Sequence, residues 1–226
     1  LIAGHPGLMT KQHRDMQTRQ FDSLIFDMDG TLWDAVDTYC DIWNETYRRM
    51  GVDATVTRRE LLECMGLPIE AIMERITPAG IDRRRFATVL SRVDAEMMPV
   101  RGGRLYKGVA ELIPQLARSY SLMMVSNCGE HGLDYFLGYT GLRPYFTDTL
   151  THGHTGLDKE GNIARLIARH GLKAPVYIGD TDGDCRSAHA AGVPMMHVTY
   201  GFGRCDDAEF SADSFADVAR FFLSDK

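Results

Sequence analysis

No apolar run in this 226-residue chain approaches the roughly 18 residues that a membrane-spanning helix needs, so the sequence offers no transmembrane segment. The first twenty residues, Leu1 to Gln20, lack the sustained apolar stretch of a secretory signal. They begin without Met, with Met9 and Met16 as alternative natural starts, and are set apart as an N-terminal tail. Basic charge is not in excess: 25 Lys and Arg face 31 Asp and Glu, giving a net charge of -6 and an isoelectric point near 5.7. A nucleic-acid partner is therefore not expected. The clusters Arg48-Arg49, Arg58-Arg59 and Arg83-Arg84-Arg85 are short and interleaved with acids, which reads as solvated helix face. The five cysteines are odd in number, widely spaced and without a Cys-x-x-Cys pair, a pattern that fits reduced thiols in a cytoplasmic protein better than a disulfide framework or a zinc site. No repeat and no low-complexity linker divides the chain.

The most informative segment is Ser23-Leu24-Ile25-Phe26-Asp27-Met28-Asp29-Gly30-Thr31-Leu32. An apolar strand, of the kind buried on both faces in a parallel sheet, delivers two carboxylates into a glycine turn. An ordinary Asx turn needs one acid and one glycine, not this pair. Helical periodicity follows, with Trp43, Thr46, Tyr47 and Met50 on one stripe ending at Gly51. Further short helices are expected over Arg58 to Met65, Pro68 to Ile76 and Asp82 to Met98, the last stopped by Pro99. No strand is expected between Asp37 and Arg104, and Arg101-Gly102-Gly103-Arg104 reads as a return hinge. Met65, Met73, Trp43 and Tyr47 are read as the core of this insert rather than as a substrate box. Beyond it, helical marks at Val109 to Leu116, Ile163 to Ile167 and Ser187 to Ala191 alternate with strands at Leu122 to Val125, Val176 to Ile178 and Met195 to Thr199. The expected fold is α/β, a Rossmann-like parallel sheet core (residues 21–37 and 105–226) with an inserted helical cap (38–104).

Polar groups fall where such a sheet exposes them. Ser126-Asn127 ends one strand, Lys159 precedes a helix, and Gly179-Asp180-Thr181-Asp182-Gly183-Asp184 ends another strand. Each alone is weak, but the four in this order resemble the haloacid dehalogenase superfamily, whose first motif is Asp-x-Asp-x-Thr. The resemblance extends from Phe21 onward and is greatest for the phosphoglycolate-phosphatase-like branch with a helical cap. It implies Asp27 as nucleophile, Asp29 as general acid and base, Ser126, Asn127 and Lys159 as phosphate-binding groups, and Mg²⁺ held by Asp27, Asp180, Asp184 and the backbone carbonyl of Asp29.

A cation is also required by electrostatics. A phosphate dianion is repelled by each carboxylate by about 1 kcal/mol at 4 Å in water and about 4 kcal/mol at an effective dielectric of 20. Hard oxygen donors suit Mg²⁺, and Lys159 adds a point charge. The expected activity is hydrolysis of a small-metabolite phosphomonoester, such as a phosphoglycolate-like compound, a sugar phosphate or a nucleotide, through an aspartyl-phosphate. Alternatives are a phosphomutase of the β-phosphoglucomutase type and a non-catalytic phosphate-responsive module. A dehalogenase is disfavoured by Asp29, Asp180 and Asp184, and a receiver domain by the long insert. The sequence leaves oligomeric state open. Asp182 either tunes the metal loop or points to water. His152 and His154 are read as surface residues without partners, and Ser126 lacks a Gly-x-Ser-x-Gly elbow. Cys128 lies beside the phosphate site, with nothing in the sequence that would lower its pKa.

Overall fold

The computed structural model describes residues 21–224, so the N-terminal tail lies outside the described residues. Four consecutive buried residues, Ser23–Phe26, form the first strand, β1. A run with no polar alternation fits a position between two covered faces. β1 pairs in parallel with β4 (Ser121–Ser126) on one side and β6 (Pro175–Gly179) on the other. With β5 (Asp148–Thr151), β7 (Met195–Val198) and β8 (Phe210–Ala212) they complete a six-stranded parallel sheet in the order β5-β4-β1-β6-β7-β8. Leu24 and Phe26 join one apolar layer, with Met124, Ile178 and Phe215. Ile25 joins the layer on the opposite face, with Met123, Val125, Ile163 and Tyr177. The two-residue period of the strand thus feeds two cores.

The insert is built from helices α1 (Val36–Met50), α2 (Arg58–Leu62), α3 (Ile69–Ile76) and α4 (Arg83–Arg101). Gly51 closes α1 in the left-handed conformation, Thr57 and Glu60 form a capping box on α2, and Asp82 caps α4 through the N–H groups of Arg84 and Arg85. α1 packs on α4 through Phe86, whose ring centroid lies 5.2 Å from Trp43 and 5.3 Å from Tyr47.

One feature of the insert departs from the sequence reading. Pro99 does not stop α4, which runs to Arg101. In a last turn the missing proline N–H removes only one bond, and Gly102 N–H closes the end on Met98 O at 2.9 Å. The chain leaves and re-enters the sheet through a small antiparallel ribbon, β2 (Trp33–Asp34) against β3 (Arg104–Leu105), the second strand starting where the expected return hinge ends. Gly103 is needed there because a Cβ would lie 2.8 Å from Ala35 and 2.9 Å from Asp34 O. Arg58 ties α2 to this ribbon by pairing with Asp34, and to the first turn of α1 by pairing with Asp37 at 3.0 Å.

The remaining helices are α5 (Val109–Leu116), α6 (Gly132–Thr140), α7 (His152–Thr155), α8 (Lys159–His170), α9 (Asp182–Ala190) and α10 (Phe215–Leu223). Among the described residues no helix is long and apolar enough to cross a membrane.

Phe86 is fully buried where two insert helices meet, so Phe86→Ala should destabilise the protein by about 3–5 kcal/mol, a transfer cost plus a cavity cost. Urea unfolding measures this, and a loss below about 1 kcal/mol would show that the insert does not depend on this contact.

Candidate active site

The strand ends converge on one buried cluster. Asp27 follows β1 directly and its N–H donates to Ile178 O at 2.9 Å, so the ladder to β6 fixes its position. Gly30, at φ 81°, then turns the chain so close to Asp180 that a Cβ would sit 2.1 Å from Asp180 Oδ2. Only glycine permits both the dihedral and the approach. Asp180 follows β6 and accepts from Phe202 N–H at 2.7 Å through Oδ2 and from the Thr31 hydroxyl at 3.5 Å through Oδ1. Asp184 lies in the first turn of α9, in a capping box with Thr181. Its Oδ2 accepts from the N–H groups of Asp180 (3.2 Å) and Thr181 (3.0 Å) and from the Thr181 hydroxyl (2.7 Å).

Lys159 opens α8, where Asp158 is the cap. Its side chain is 4% exposed, and Nζ donates to Asp27 Oδ1 at 3.0 Å and to Asp184 Oδ1 at 2.5 Å. Burial alone would favour the neutral amine, but Asp184 and Asp27 hold its pKa well above the ordinary lysine value. Burial likewise opposes ionisation of Asp184, and Lys159 outweighs it, leaving that carboxyl below its usual range. Asp27 is raised to about 6 by burial, with Lys159 working against the shift and Asp184 adding to it. Asp180, with no lysine contact of its own, is pushed well above the ordinary value by burial and then by Asp184 and Asp27.

Oxygen atoms of Asp27, Asp180 and Asp184 all lie within 4.8 Å of one another, and all three residues are buried. One lysine cannot balance three carboxylates. The donor set, all hard oxygen and carrying excess negative charge, fits a small divalent cation such as Mg²⁺.

Asp29 stands apart from this trio. It accepts from Trp33 Nε1 at 3.0 Å and from the Tyr39 hydroxyl at 3.2 Å. Burial in the cleft and the neighbouring Asp27 charge raise it to about 7, against the pull of these two donors. Ser126 Oγ accepts from Cys128 N–H at 3.2 Å, and Asn127 Nδ2 donates across the cleft to Gly66 O of the insert at 2.8 Å. Asp27, Asp29, Ser126, Asn127 and Lys159 therefore border one cavity of ≈ 360 Å³ between sheet and insert, with Asp180 and Asp184 behind Asp27.

Some sequence readings change here, while those for Asp182 and Cys128 hold. Trp43, Met65 and Met73 line the cavity as well as packing the insert, because four short helices leave no second layer to separate core from cleft. Tyr47 alone of that group stays in the interior, donating to Ile76 O at 3.1 Å. His152 has partners after all: its Nδ1 is 2.9 Å from Leu157 O and its Nε2 3.5 Å from Glu70 of the insert. His154 is 67% exposed and 4.0 Å from Glu130. Asp182 faces water and pairs with Arg186 one turn on. Burial pushes the Cys128 thiol up to about 12, which keeps it protonated.

The sequence reading did not include the partners that orient these groups. Thr181 was legible, since Thr-x-x-Asp is a capping pattern, and Trp33 lies one turn beyond Asp29. Tyr39 comes from the insert and Phe202 N–H from a loop after β7. No local pattern marks either.

A sequence profile described as haloacid dehalogenase-like hydrolase matches residues 24–198. A phosphoglycolate phosphatase of Synechococcus elongatus is 31% identical over 186 residues, covering 80% of this chain and 84% of its own. A phosphoglycolate phosphatase of Aliivibrio fischeri is 26% identical over 218 residues, 89% of this chain and 94% of its own. Among solved structures, CbbY from Rhodobacter sphaeroides in complex with phosphate superposes with a TM-score of 0.75 at 21% identity, over 88% of this chain and 96% of that one.

Lys159→Ala leaves Asp27 and Asp184 buried without their cation, a loss of about 3–5 kcal/mol in chelator-treated protein. The two carboxyl pKa values would then lie above their unfolded values near 4. The folded variant would bind protons the unfolded chain has released, so its stability should fall as pH rises from 5 to 8. Urea unfolding at both pH values checks this, and a loss equal at the two would contradict the pairing.

Proposed function

The chain belongs to the haloacid dehalogenase-like hydrolases and is a phosphoric monoester hydrolase, and from that premise we propose that it hydrolyses a small-metabolite phosphomonoester in two steps, through an aspartyl-phosphate on Asp27, with Mg²⁺ as cofactor. The observation that carries this reading is a division of labour between two carboxylates two residues apart. Lys159 holds Asp27, a member of the trio, by its Oδ1 edge, while Asp29 accepts from Trp33 and Tyr39 and is raised to about 7 by burial and the Asp27 charge.

In the first step a carboxylate oxygen of Asp27 forms a bond to phosphorus as the ester P–O bond breaks, and the leaving alkoxide takes the proton of Asp29. In the second, Asp29, now ionised, removes a proton from water, which attacks phosphorus and releases inorganic phosphate and the Asp27 carboxylate. An acid near 7 is well matched to both tasks at neutral pH. Ser126, whose hydroxyl oxygen is already engaged by Cys128 N–H, turns its proton toward the phosphoryl oxygens, and Lys159 adds positive charge there. Asp27, Asp180, Asp184 and the Asp29 carbonyl would hold Mg²⁺, which would supply charge neutralisation for the incoming dianion. The insert acts as a cap over the cleft, fastened by Asn127 to Gly66 and His152 to Glu70 when closed and opening on the β2–β3 ribbon to admit water and release product. Five free cysteines suit the reducing cytoplasm.

Asp27→Asn should abolish phosphate release with the fold retained by circular dichroism, and trapping of the phosphoryl group on any other residue would refute the nucleophile. Asp29→Asn should lower kcat by about 10²–10⁴ for an alkyl phosphate with a poor leaving group. Normal turnover of that variant would assign the proton to another group. Chelator should silence the enzyme and Mg²⁺ restore it. Inorganic phosphate should appear in step with free alcohol, whereas conversion of one phosphorylated isomer into another with little free phosphate would favour a mutase.

A further inference from the structure

The cleft that faces Asp27 and Asp29 is chemically lopsided. The insert lines it with Trp43, Leu61, Met65, Ile72, Met73 and Leu90, a continuous apolar wall. The charged side chains added to that wall are acids: Asp94 of α4, Glu70 of α3, and Glu130 of the loop after β4. Among the described residues lining the cavity, Lys159 is the one fixed cation, and it is already shared between Asp27 and Asp184. Glu70 and Glu130 have His152 and His154 nearby. Among the described residues Asp94 has no hydrogen-bond or ion-pair partner, and burial raises it to about 6 with His131 opposing. Among the described residues lining the cavity, no arginine and no lysine other than Lys159 is placed to receive a second anionic group.

We propose that the leaving alcohol accepted by this cleft has an apolar body and no negative charge, and that Asp94 enforces the exclusion of anions. This rests on the phosphatase reading and narrows it. An aryl or aliphatic phosphomonoester fits the wall, whereas phosphoglycolate carries a carboxylate and a sugar bisphosphate a second phosphate. Either would meet apolar carbon and acidic side chains, with the His131 imidazole the one basic group besides Lys159 among the described lining residues. The chain therefore differs in substrate from the phosphoglycolate phosphatases to which it is similar.

The test is phosphate release by the full chain with Mg²⁺ from phenyl phosphate, 4-carboxyphenyl phosphate, phosphoglycolate and acetyl phosphate. Phenyl phosphate should exceed both carboxylate-bearing esters in kcat/KM by about tenfold or more, the scale of one like-charge contact in a partly desolvated cleft. Asp94→Asn should narrow the gap between phenyl phosphate and its 4-carboxy analogue severalfold, mainly through KM. Phosphoglycolate turned over as well as phenyl phosphate, or better, would overturn the proposal and leave the phosphatase reading standing. An undiminished gap in Asp94→Asn would overturn the role of Asp94. Release from none of the four, the reactive acyl phosphate included, would overturn the phosphatase reading and this proposal together.

Discussion

Three buried carboxylates cluster about one lysine that contacts only two of them, Asp27 and Asp184, and the residual negative charge of that group sets the terms for the site. Two like charges about 4 Å apart repel by about 4 kcal/mol at an effective dielectric of 20, so Asp27, Asp180 and Asp184 cannot all ionise comfortably around Lys159 alone. The strain is visible in opposite directions: Asp184, in contact with the lysine, stays ionised, while Asp180, out of its reach, is pushed toward protonation. A phosphate dianion would add to the same repulsion. A divalent cation would relieve both at once, which would couple its binding to that of the substrate.

The fold holds this unfavourable cluster by over-determining each member. Asp27 is fixed by the ladder between β1 and β6, Asp184 by three donors in a capping box, and Asp180 by Phe202 N–H and the close approach of Gly30. Lys159 is delivered at the start of α8, whose Ile163 and Leu166 pack in the same layer as Cys185 and Ala188 of α9. None of these supports is in the insert, which instead contributes Tyr39 to Asp29 and the apolar wall of the cleft. The charged cluster is therefore held by the sheet, and the apolar wall of the cleft by the helices above it.

The sheet was readable wherever burial imposed a pattern. β1, β4, β6 and β7 are apolar runs and were found, whereas β5 offers one apolar residue in Asp148–Thr151 and β8 only three residues at the edge. α6 carries two glycines, which weaken its signal, but α10 has Phe215, Val218, Ala219 and Phe222 on one face and was open to the same periodicity argument. α9 begins at Asp182, five residues before the stretch the sequence suggested, because Thr181 and Asp184 cap it there. The positions of Asp27, Asp29, Lys159, Asp180 and Asp184 followed from strand ends and motif order. Their hydrogen-bond partners Tyr39 and Phe202 did not, since both contacts join segments distant in sequence. The double use of Trp43, Met65 and Met73 was hidden because periodicity reports which face is buried and not what lies across from it.

The central claim is that the carboxylate trio is built for a divalent cation, and it is tested most directly without substrate. Urea unfolding of chelator-treated protein should be followed across a Mg²⁺ series, with Asp180→Ala alongside. A ligand bound only by the folded state stabilises it by about 2.7 kcal/mol at a hundred times its Kd. The account predicts an unfolding midpoint that climbs with Mg²⁺ in the native protein and barely moves in Asp180→Ala. A midpoint that stays flat into the millimolar range, or one that climbs equally in both proteins, would contradict it.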